Sequence, residues 1–235
     1  MARNLILTGG LYHPFDAASE TLRNALGEVG FESDITTDIH TGLSWLDDGD
    51  YDLLTVYALR FPMLAERFAN DRALWAVTVG EVDARRIEAH LQRGRGILAM
   101  HTAAISFDDW PGWREIVGAG WTWGTSYHPP HGPVSVRMTA AQHAITRGLP
   151  AFDFDEEAYS KMRLVSGIEA LATVQATAQD SASPCLWARE VSQGRVVYDA
   201  LGHDSASIDH PTHKRMLQRA ALWATRSSDA AIARC

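Results

Sequence analysis

The sequence predicts a single α/β domain with a mixed central sheet that is parallel in its N-terminal half. Strand and helix patterns alternate over the first 120 residues, which is typical of βαβ units and a parallel sheet. Beyond that point strands follow one another, and the segments on either side of residues 191–194 have the pattern of a β-hairpin. The length of 235 residues suits one large α/β domain or two small ones. Because no repeat or linker divides the chain, we expect one domain over residues 1–235.

Apolar spacing and glycines predict the first elements. Short apolar runs predict three strands, at residues 5–8, 31–36 and 51–57. Between the first two, apolar residues at helical spacing predict a helix that Asp16 or Ser19 caps and that Gly30 ends. Residues 82–91 predict a second helix.

The next predicted strand, at residues 96–100, ends directly in His101. Glycines bound this short apolar run, as is typical of a buried parallel strand. The carboxyl ends of such strands form the ligand crevice of open α/β sheets, so we expect His101 to face the site. Many α/β hydrolytic enzymes have a nucleophilic serine or cysteine on this turn. Since neither is present, we expect no covalent chemistry of that kind there; the alternative role for His101 is to cap the loop.

The second half of the chain is predicted to add strands and a closing helix. Alternating or apolar patterns predict four strands, at residues 134–138, 170–174, 186–190 and 195–200. The last two form the hairpin, with Gly194 in its turn. A helix over residues 212–225 presents an apolar face to the sheet.

Charge and composition exclude several functional classes. The net charge is −8 and no lysine or arginine cluster occurs, so we expect no nucleic-acid partner. No apolar stretch reaches membrane-spanning length, and the N-terminal apolar segment is too short for a signal peptide. We therefore expect a cytoplasmic protein without a membrane partner. Of the two cysteines, Cys185 lies in an apolar run and is predicted to be a core residue.

Histidines and carboxylates occur at the ends of several apolar runs. The candidate catalytic residues are His101, His128, Glu157 and His203. The candidate substrate-binding residues are Tyr159, Trp121, Trp123, His131 and Asp204. Because the catalytic candidates lie at predicted strand ends or in a loop stiffened by prolines, we expect them to converge in one crevice. The alternative for the acidic segment 153–157 is a solvated turn.

These side chains suit either a divalent metal or an acid–base set. Imidazole and carboxylate groups bind divalent metals, and the same groups transfer protons near neutral pH. The spacing matches no compact ligand motif, and HExxH does not occur. If a divalent metal is bound, we expect its ligands among His101, His128, Glu157 and His203; no other cofactor is indicated.

Tryptophans follow His101 closely in the chain. Aromatic faces stack on the apolar faces of sugar rings, so a pocket with tryptophan, histidine and glutamate suits a carbohydrate. Trp110 and Trp113 are three apart on a predicted helix and are better explained as core residues. Trp121 and Trp123 lie among glycines, where either packing or ligand contact is consistent with the sequence.

An ordered series of segments resembles the trehalose-utilisation (ThuA-like) family. The segments are residues 94–103, 113–118, 127–129, 143–150, 155–159, 194–198 and 202–203. The family commonly has Asp-Glu-x-Tyr, which matches Glu156, Glu157 and Tyr159, with a glutamate in place of the aspartate. It commonly has His-Pro-Ile-Thr where this chain has an alanine, Ala144, in the second position.

The resemblance implies a three-layer flavodoxin-like sandwich, similar to the class I glutamine amidotransferases, with a largely parallel central sheet. In that fold His101 stands where an amidotransferase has its nucleophilic cysteine. Members of the family are linked to the use of disaccharides and oxidised (3-keto) sugars. The resemblance therefore implies a small sugar or keto-sugar as the partner.

We expect an enzyme that acts on a sugar or 3-keto-sugar glycoside by His/Glu acid–base chemistry, through isomerisation, elimination or hydrolysis. One alternative is a non-catalytic sugar-binding or regulatory module on an amidotransferase-like fold. The other is a metal-dependent hydrolase of a non-sugar substrate. A homo-oligomer is compatible with the sequence. We expect His101→Ala to remove turnover at a stability cost of about 1 kcal/mol, on the premise that this strand-end histidine is partly exposed.

Overall fold

A nine-stranded mixed sheet forms the centre of the structure, a computed structural model that describes residues 1–177, 179 and 181–235. The strands are β1 (Ala2–Gly10), β2 (Phe31–Thr36), β3 (Leu53–Leu59), β4 (Gly96–Met100), β5 (Ala119–Gly120), β6 (Gly132–Met138), β7 (Phe152–Glu156), β8 (Arg163–Leu164), β9 (Ala172–Gln175), β10 (Ser183–Val191) and β11 (Gly194–Asp199). The order in the large sheet is β2-β1-β3-β4-β11-β10-β9-β6-β7, and β5 pairs with β8 separately.

The sheet changes from parallel to antiparallel at β11. Strands β2, β1, β3, β4 and β11 are parallel neighbours, which confirms the predicted parallel N-terminal half. From β11 onward the neighbours β10, β9, β6 and β7 are antiparallel. Strands β3 and β4 are buried along their whole length, as their unbroken apolar sequences predict.

Helices pack against the sheet in two groups. The helices are α1 (Phe15–Gly27), α2 (Ile39–Ser44), α3 (Arg72–Trp75), α4 (Glu81–Gln92), α5 (Pro111–Val117), α6 (Ser205–Asp209), α7 (Pro211–Ala224) and α8 (Asp229–Arg234). Helices α1, α6 and α7 contact one another, and α2 contacts α4. The result is the α/β sandwich that the sequence predicts. Within the described part of the chain, no helix combines the length and apolar character that crossing a bilayer requires.

The start of α1 differs from the prediction. The helix follows Pro14, and neither Asp16 nor Ser19 caps it. Asp16 lies in the first turn, and the Ser19 hydroxyl is 2.6 Å from the hydroxyl of Thr8 on β1. The expectation of a side-chain cap was therefore wrong, because Ser19 lies on the helix face that packs against the sheet.

The hairpin between β10 and β11 forms as predicted, with Val191 opposite Gly194. The residue with positive φ in the turn is Ser192, at 56°. Gly194 is instead required by close packing, since a Cβ there would lie 2.5 Å from the carbonyl oxygen of Arg95. The glycine thus allows β11 to approach the chain that leads into β4.

Candidate active site

His101 lies at the carboxyl end of β4, where the chain turns sharply into a 3-10 turn over His101–Ala104. Its φ is +48°, a left-handed conformation that is uncommon for residues with a Cβ. The side chain is completely buried, so the premise of a partly exposed histidine was wrong. Its Nδ1 donates to the carbonyl of Ala200 at 2.8 Å, which leaves Nε2 directed at the site.

His13 has the same arrangement on the other side of the site. It follows β1, and its Nδ1 donates to the carbonyl of Leu11 at 3.0 Å. Its Nε2 lies 3.0 Å from Nε2 of His101. With both Nδ1 protons committed to carbonyl groups, two neutral rings present lone pairs to each other. This contact is favourable only when a proton or a cation lies between the two nitrogens.

Glu157 is the centre of the site. Its carboxylate contacts four imidazoles: Oε2 is 3.4 Å from Nε2 of His101 and 3.6 Å from Nε2 of His13, and Oε1 is 3.5 Å from Nδ1 of both His128 and His203. Burial opposes ionisation, but the surrounding histidines hold the pKa of the Glu157 carboxyl far below its usual range. The site therefore contains a carboxylate at neutral pH.

The histidines around that carboxylate titrate differently. Burial lowers the pKa of His13, and the contact with Glu157 only partly offsets this effect. Burial also lowers the pKa of His203, but there the contact with Glu157 outweighs it and the net pKa is raised. His203 therefore favours the protonated form and His13 the neutral form, although both rings face the same carboxylate.

Two atoms of the site are buried without a hydrogen bond of ordinary geometry to any residue that the structure describes. They are Oε2 of Glu157 and Nδ1 of His203. Buried polar atoms of this kind cost free energy, and most proteins satisfy nearly all of them. Together with the facing nitrogens of His13 and His101, they indicate a polar centre suited to hold a proton or a cation between these groups.

Glu156, the neighbour of Glu157, has a structural role. Its Oε2 accepts hydrogen bonds from the backbone N–H groups of Gly202 at 2.7 Å and of His203 at 3.2 Å, and from the Ser207 hydroxyl at 2.5 Å. Its Oε1 accepts from the N–H of Glu157 at 2.8 Å. Glu156 thereby fixes both the loop that presents His203 and the backbone that presents Glu157.

The four catalytic candidates named from the sequence lie together, and His13 joins them. His13 was not predicted as a site residue, although it follows a predicted strand of the parallel half, as His101 does. Oxygen and nitrogen atoms of His13, His101, Glu157 and His203 lie within 4.8 Å of one another. The structure thus brings these groups into metal-binding proximity, whereas His128 contacts the set only through Glu157.

The substrate-binding candidates lie in different positions. The Tyr159 hydroxyl is 3.2 Å from Nε2 of His101, and burial holds the pKa of this phenol well above its usual value, so the hydroxyl stays a donor. Trp121 packs edge-on against Tyr159. The ring of His131 lies 4.5 Å from that of His203. Asp204 does not join this group, because its carboxylate caps α6 by accepting from the N–H of Ser207.

An aromatic cavity of about 320 Å³ opens onto this cluster. Its lining includes Tyr12, His13, Phe61, Arg67, Phe68, Trp121, Trp123, His128, Glu157 and Tyr159. Trp123 is 45% exposed and shares a second cavity, of about 500 Å³, with Phe61, Arg67 and Phe68. The site therefore combines a buried polar floor with an open aromatic wall, a combination suited to small polar ligands with apolar faces.

Comparisons with known proteins agree with this architecture. The family model ThuA, described as trehalose utilisation, matches residues 3–224. A ThuA-like protein from Parabacteroides merdae has the same fold, with a TM-score of 0.72 and 19% identity over 96% of this chain and 90% of that one. A cytoplasmic protein from Salmonella typhimurium LT2 gives a TM-score of 0.59 and 12% identity over 94% of this chain and 97% of that one.

A further similarity is to part of a larger enzyme. A cold-adapted β-galactosidase from Rahnella sp. R3 matches with a TM-score of 0.54 and 16% identity, over 88% of this chain and 30% of that one. No curated protein matches the sequence. At these identities the solved structures establish a shared fold, and the match to the family model establishes family membership.

Proposed function

Because the chain belongs to the ThuA trehalose-utilisation family, we propose that it is an enzyme that acts on a sugar or 3-keto-sugar glycoside in the cavity above Glu157. The observation that carries the proposal is the ionised carboxylate of Glu157, surrounded by imidazoles on the floor of an aromatic cavity. A family defined by sugar use, and a cavity whose wall contains Trp121 and Trp123, both favour a carbohydrate.

The chemistry that fits these groups is proton transfer next to a carbonyl. A ketone acidifies the neighbouring C–H group; when a base removes that proton, the C–H electrons move into the carbonyl and form an enolate oxygen. His128 is suited to the proton transfer because its ring lines the cavity and is partly exposed. The buried Tyr159 hydroxyl and the histidine cluster are placed to stabilise negative charge on the oxygen.

From an enolate, the same site could return the proton at another carbon or expel a glycosidic oxygen, so isomerisation and elimination share their first step. Hydrolysis would need an additional water. The aromatic wall provides room for a second sugar ring, since Trp123 lines both cavities. The fold is similar to part of a β-galactosidase, and this similarity of fold also supports a carbohydrate substrate. We also propose a cytoplasmic location; its support is that a protein described as cytoplasmic shares the fold.

The test is turnover on a panel of 3-keto-disaccharides and their parent sugars, followed by NMR. We expect consumption of a keto-sugar by the native protein and a rate loss on the order of 100- to 10,000-fold in His128→Gln, the size of a general acid or base. His40→Gln is the matched control, because His40 pairs with Asp83 and lines neither cavity, so this variant should keep the native rate.

A second variant tests the aromatic wall. Trp123→Ala should raise KM more than it lowers kcat, because the indole lies in the wall of the cavity and not among the titratable groups. Binding of a sugar without turnover of any panel member would refute the enzymatic proposal and would favour a sugar-binding module. Equal rates in His128→Gln and the native protein would remove His128 from the chemistry.

A further inference from the structure

We propose that the site binds one divalent transition-metal ion through Nε2 of His13, Nε2 of His101, Nδ1 of His203 and the carboxylate of Glu157. The ion would lie in the space that these groups enclose, on the floor of the aromatic cavity. The proposal concerns the site of the proposed enzyme but does not require a sugar, because metal binding is measured on the protein alone.

Several donor-atom separations are close to those of a metal centre, and all the donor atoms lie within 4.8 Å of one another. Bonds of about 2.1 Å to a tetrahedral ion place neighbouring ligand atoms about 3.4 Å apart. The observed separations are 3.0 Å between the nitrogens of His13 and His101, 3.4 and 3.6 Å from these nitrogens to Oε2 of Glu157, and 3.5 Å from Nδ1 of His203 to Oε1. A direct hydrogen bond at most of these distances would be weak, whereas a shared ion requires them.

The outer contacts have the pattern found around metal ligands. A histidine that binds a metal through one ring nitrogen usually donates the other N–H to a carbonyl or carboxylate, which fixes the tautomer. Nδ1 of His13 and Nδ1 of His101 both donate to backbone carbonyls, those of Leu11 and Ala200. Neither Nε2 atom carries the ring proton, so both can bind a metal, with that of His101 doing so in place of its contact with the Tyr159 hydroxyl 3.2 Å away. The backbone holds the two rings in position.

The atoms left without hydrogen bonds are ligand atoms of this set. Oε2 of Glu157 and Nδ1 of His203 are buried and unpaired among the protein groups that the structure describes. An ion between them would satisfy both. The same ion would supply positive charge at the floor of the cavity, where an anionic reaction product would otherwise face the Glu157 carboxylate.

The ligand types select the class of ion. Three imidazoles and one carboxylate suit Zn²⁺, Co²⁺, Ni²⁺ or Fe²⁺, whereas Mg²⁺ and Ca²⁺ prefer sets made of oxygen. The side chains of His13, Glu157 and His203 are 6%, 10% and 17% exposed, so the site is enclosed but accessible from the cavity. We expect Zn²⁺ and Co²⁺ to bind and Mg²⁺ to compete poorly.

The experiment uses the full chain, without an affinity tag and treated with a chelator. Zn²⁺ alone is titrated by calorimetry and the bound metal is counted by mass spectrometry; Co²⁺ is followed by its visible absorption, which reports the coordination geometry. We expect one ion per chain, tetrahedral or five-coordinate Co²⁺ spectra and a higher Tm with Zn²⁺. A 100-fold excess of Mg²⁺ should displace little of the bound Co²⁺.

Variants identify the ligands. His13→Gln and Glu157→Gln should each weaken Zn²⁺ binding by 100-fold or more, beyond the 10- to 100-fold typical for loss of an outer contact. His40→Gln is the matched control, because His40 pairs with Asp83 and is not one of the donor residues of the cluster, and it should bind as the native chain does. Circular dichroism shows whether each variant is folded, and His203→Gln substitutes for any variant that is not.

The proposal is overturned if the folded native chain binds neither Zn²⁺ nor Co²⁺ at one ion per chain, or if His13→Gln and Glu157→Gln bind as tightly as His40→Gln. The first result would mean that a shared proton joins His13 and His101. Stoichiometric metal binding without sugar turnover would leave the metal site intact and count against the proposed enzyme only. Turnover that survives complete metal removal would support the proposed enzyme and would show that its chemistry does not require the metal.

Discussion

At the scale of single residues, the backbone conformation of His101 and the hydrogen bond of its ring together fix the position of the imidazole. Its positive φ turns the chain sharply at the end of β4, and the Ala200 carbonyl holds the ring. The Tyr198 hydroxyl donates to the backbone carbonyl of His101 at 2.8 Å, which supports the same turn. A left-handed conformation costs roughly 1–2 kcal/mol for a residue with a Cβ. Strain of this kind at a strand end, next to a cluster of ionisable groups, is typical of functional sites.

Two substitutions at His101 should separate strain from chemistry. His101→Ala removes the ring but keeps the strained Cβ, and it breaks buried hydrogen bonds, so we expect a loss of about 2–3 kcal/mol, more than partial exposure would predict. His101→Gly relieves the strain and should be less destabilising than His101→Ala by about 1 kcal/mol. Both should lose turnover and metal binding.

Urea unfolding at fixed pH measures this difference. An alanine variant as stable as the glycine variant would show that the turn is not strained in solution. A glycine variant that retains turnover would show that the imidazole of His101 takes no part in the chemistry.

At the scale of elements, the end of β7 assigns different tasks to adjacent glutamates. Successive side chains point to opposite sides of a strand. Glu156 points towards the loop after β11, where it accepts hydrogen bonds from Gly202, His203 and Ser207. Glu157 points into the cavity among the histidines. The family pattern covers both positions, but only the structure distinguishes the residue that builds the site from the residue that faces the ligand.

The same substitution should act in different ways at the two positions. Glu156→Gln replaces one acceptor oxygen by a donor amide among several donors, so it should lower stability by about 2–4 kcal/mol. Glu157→Gln removes a charge that the surrounding imidazoles stabilise in the folded state, so it should lower stability by about 1–3 kcal/mol and should also abolish turnover.

Thermal unfolding and the sugar assay on both variants provide the comparison. Wild-type turnover in Glu157→Gln would exclude this residue from catalysis.

At the scale of the whole molecule, the sheet must curl to complete the site. Strand β7 lies four positions from β11 in the sheet order, which would be about 19 Å in a flat sheet with 4.8 Å between strands. Yet Glu156 at the end of β7 hydrogen-bonds to Gly202, which follows β11. The antiparallel half therefore bends back over the parallel half, and Glu157 meets histidines that follow β1, β4 and β11.

The packing of α7 on the sheet should be sensitive to a single methyl group. A Cβ at Gly96 would lie 2.7 Å from the carbonyl oxygen of Ala224 at the end of α7, so Gly96→Ala should cost about 1–3 kcal/mol. Gly27→Ala is the matched control: it is a helical position with open space around it, and the change should add about 0.5–1 kcal/mol. Chemical unfolding of both variants tests the packing, and equal stabilities would mean that the sheet and α7 adjust freely to each other.

The sequence by itself determined the features that depend on local physics. Apolar runs bounded by glycines predicted the parallel strands, including β4, because burial on both faces requires an unbroken apolar segment. Placement of His101 at the carboxyl end of β4 followed from the same rule. Loop stiffness and strand ends selected His128, Glu157 and His203 in the same way, and the structure brings all of these side chains together.

Which groups meet, and what each one does, depends on the tertiary structure. His13 was not among the predicted site residues, since a loop histidine after β1 acquires meaning only when β1 lies near β4 in the sheet. Asp204 was predicted to bind substrate, and the structure adds that its carboxylate caps α6. The roles of Glu156 and Glu157 could not be separated from the sequence. The physical reason is the same in each case: residue type and strand position are local properties, but the distances between donor atoms depend on how the strands are ordered and how the sheet curls.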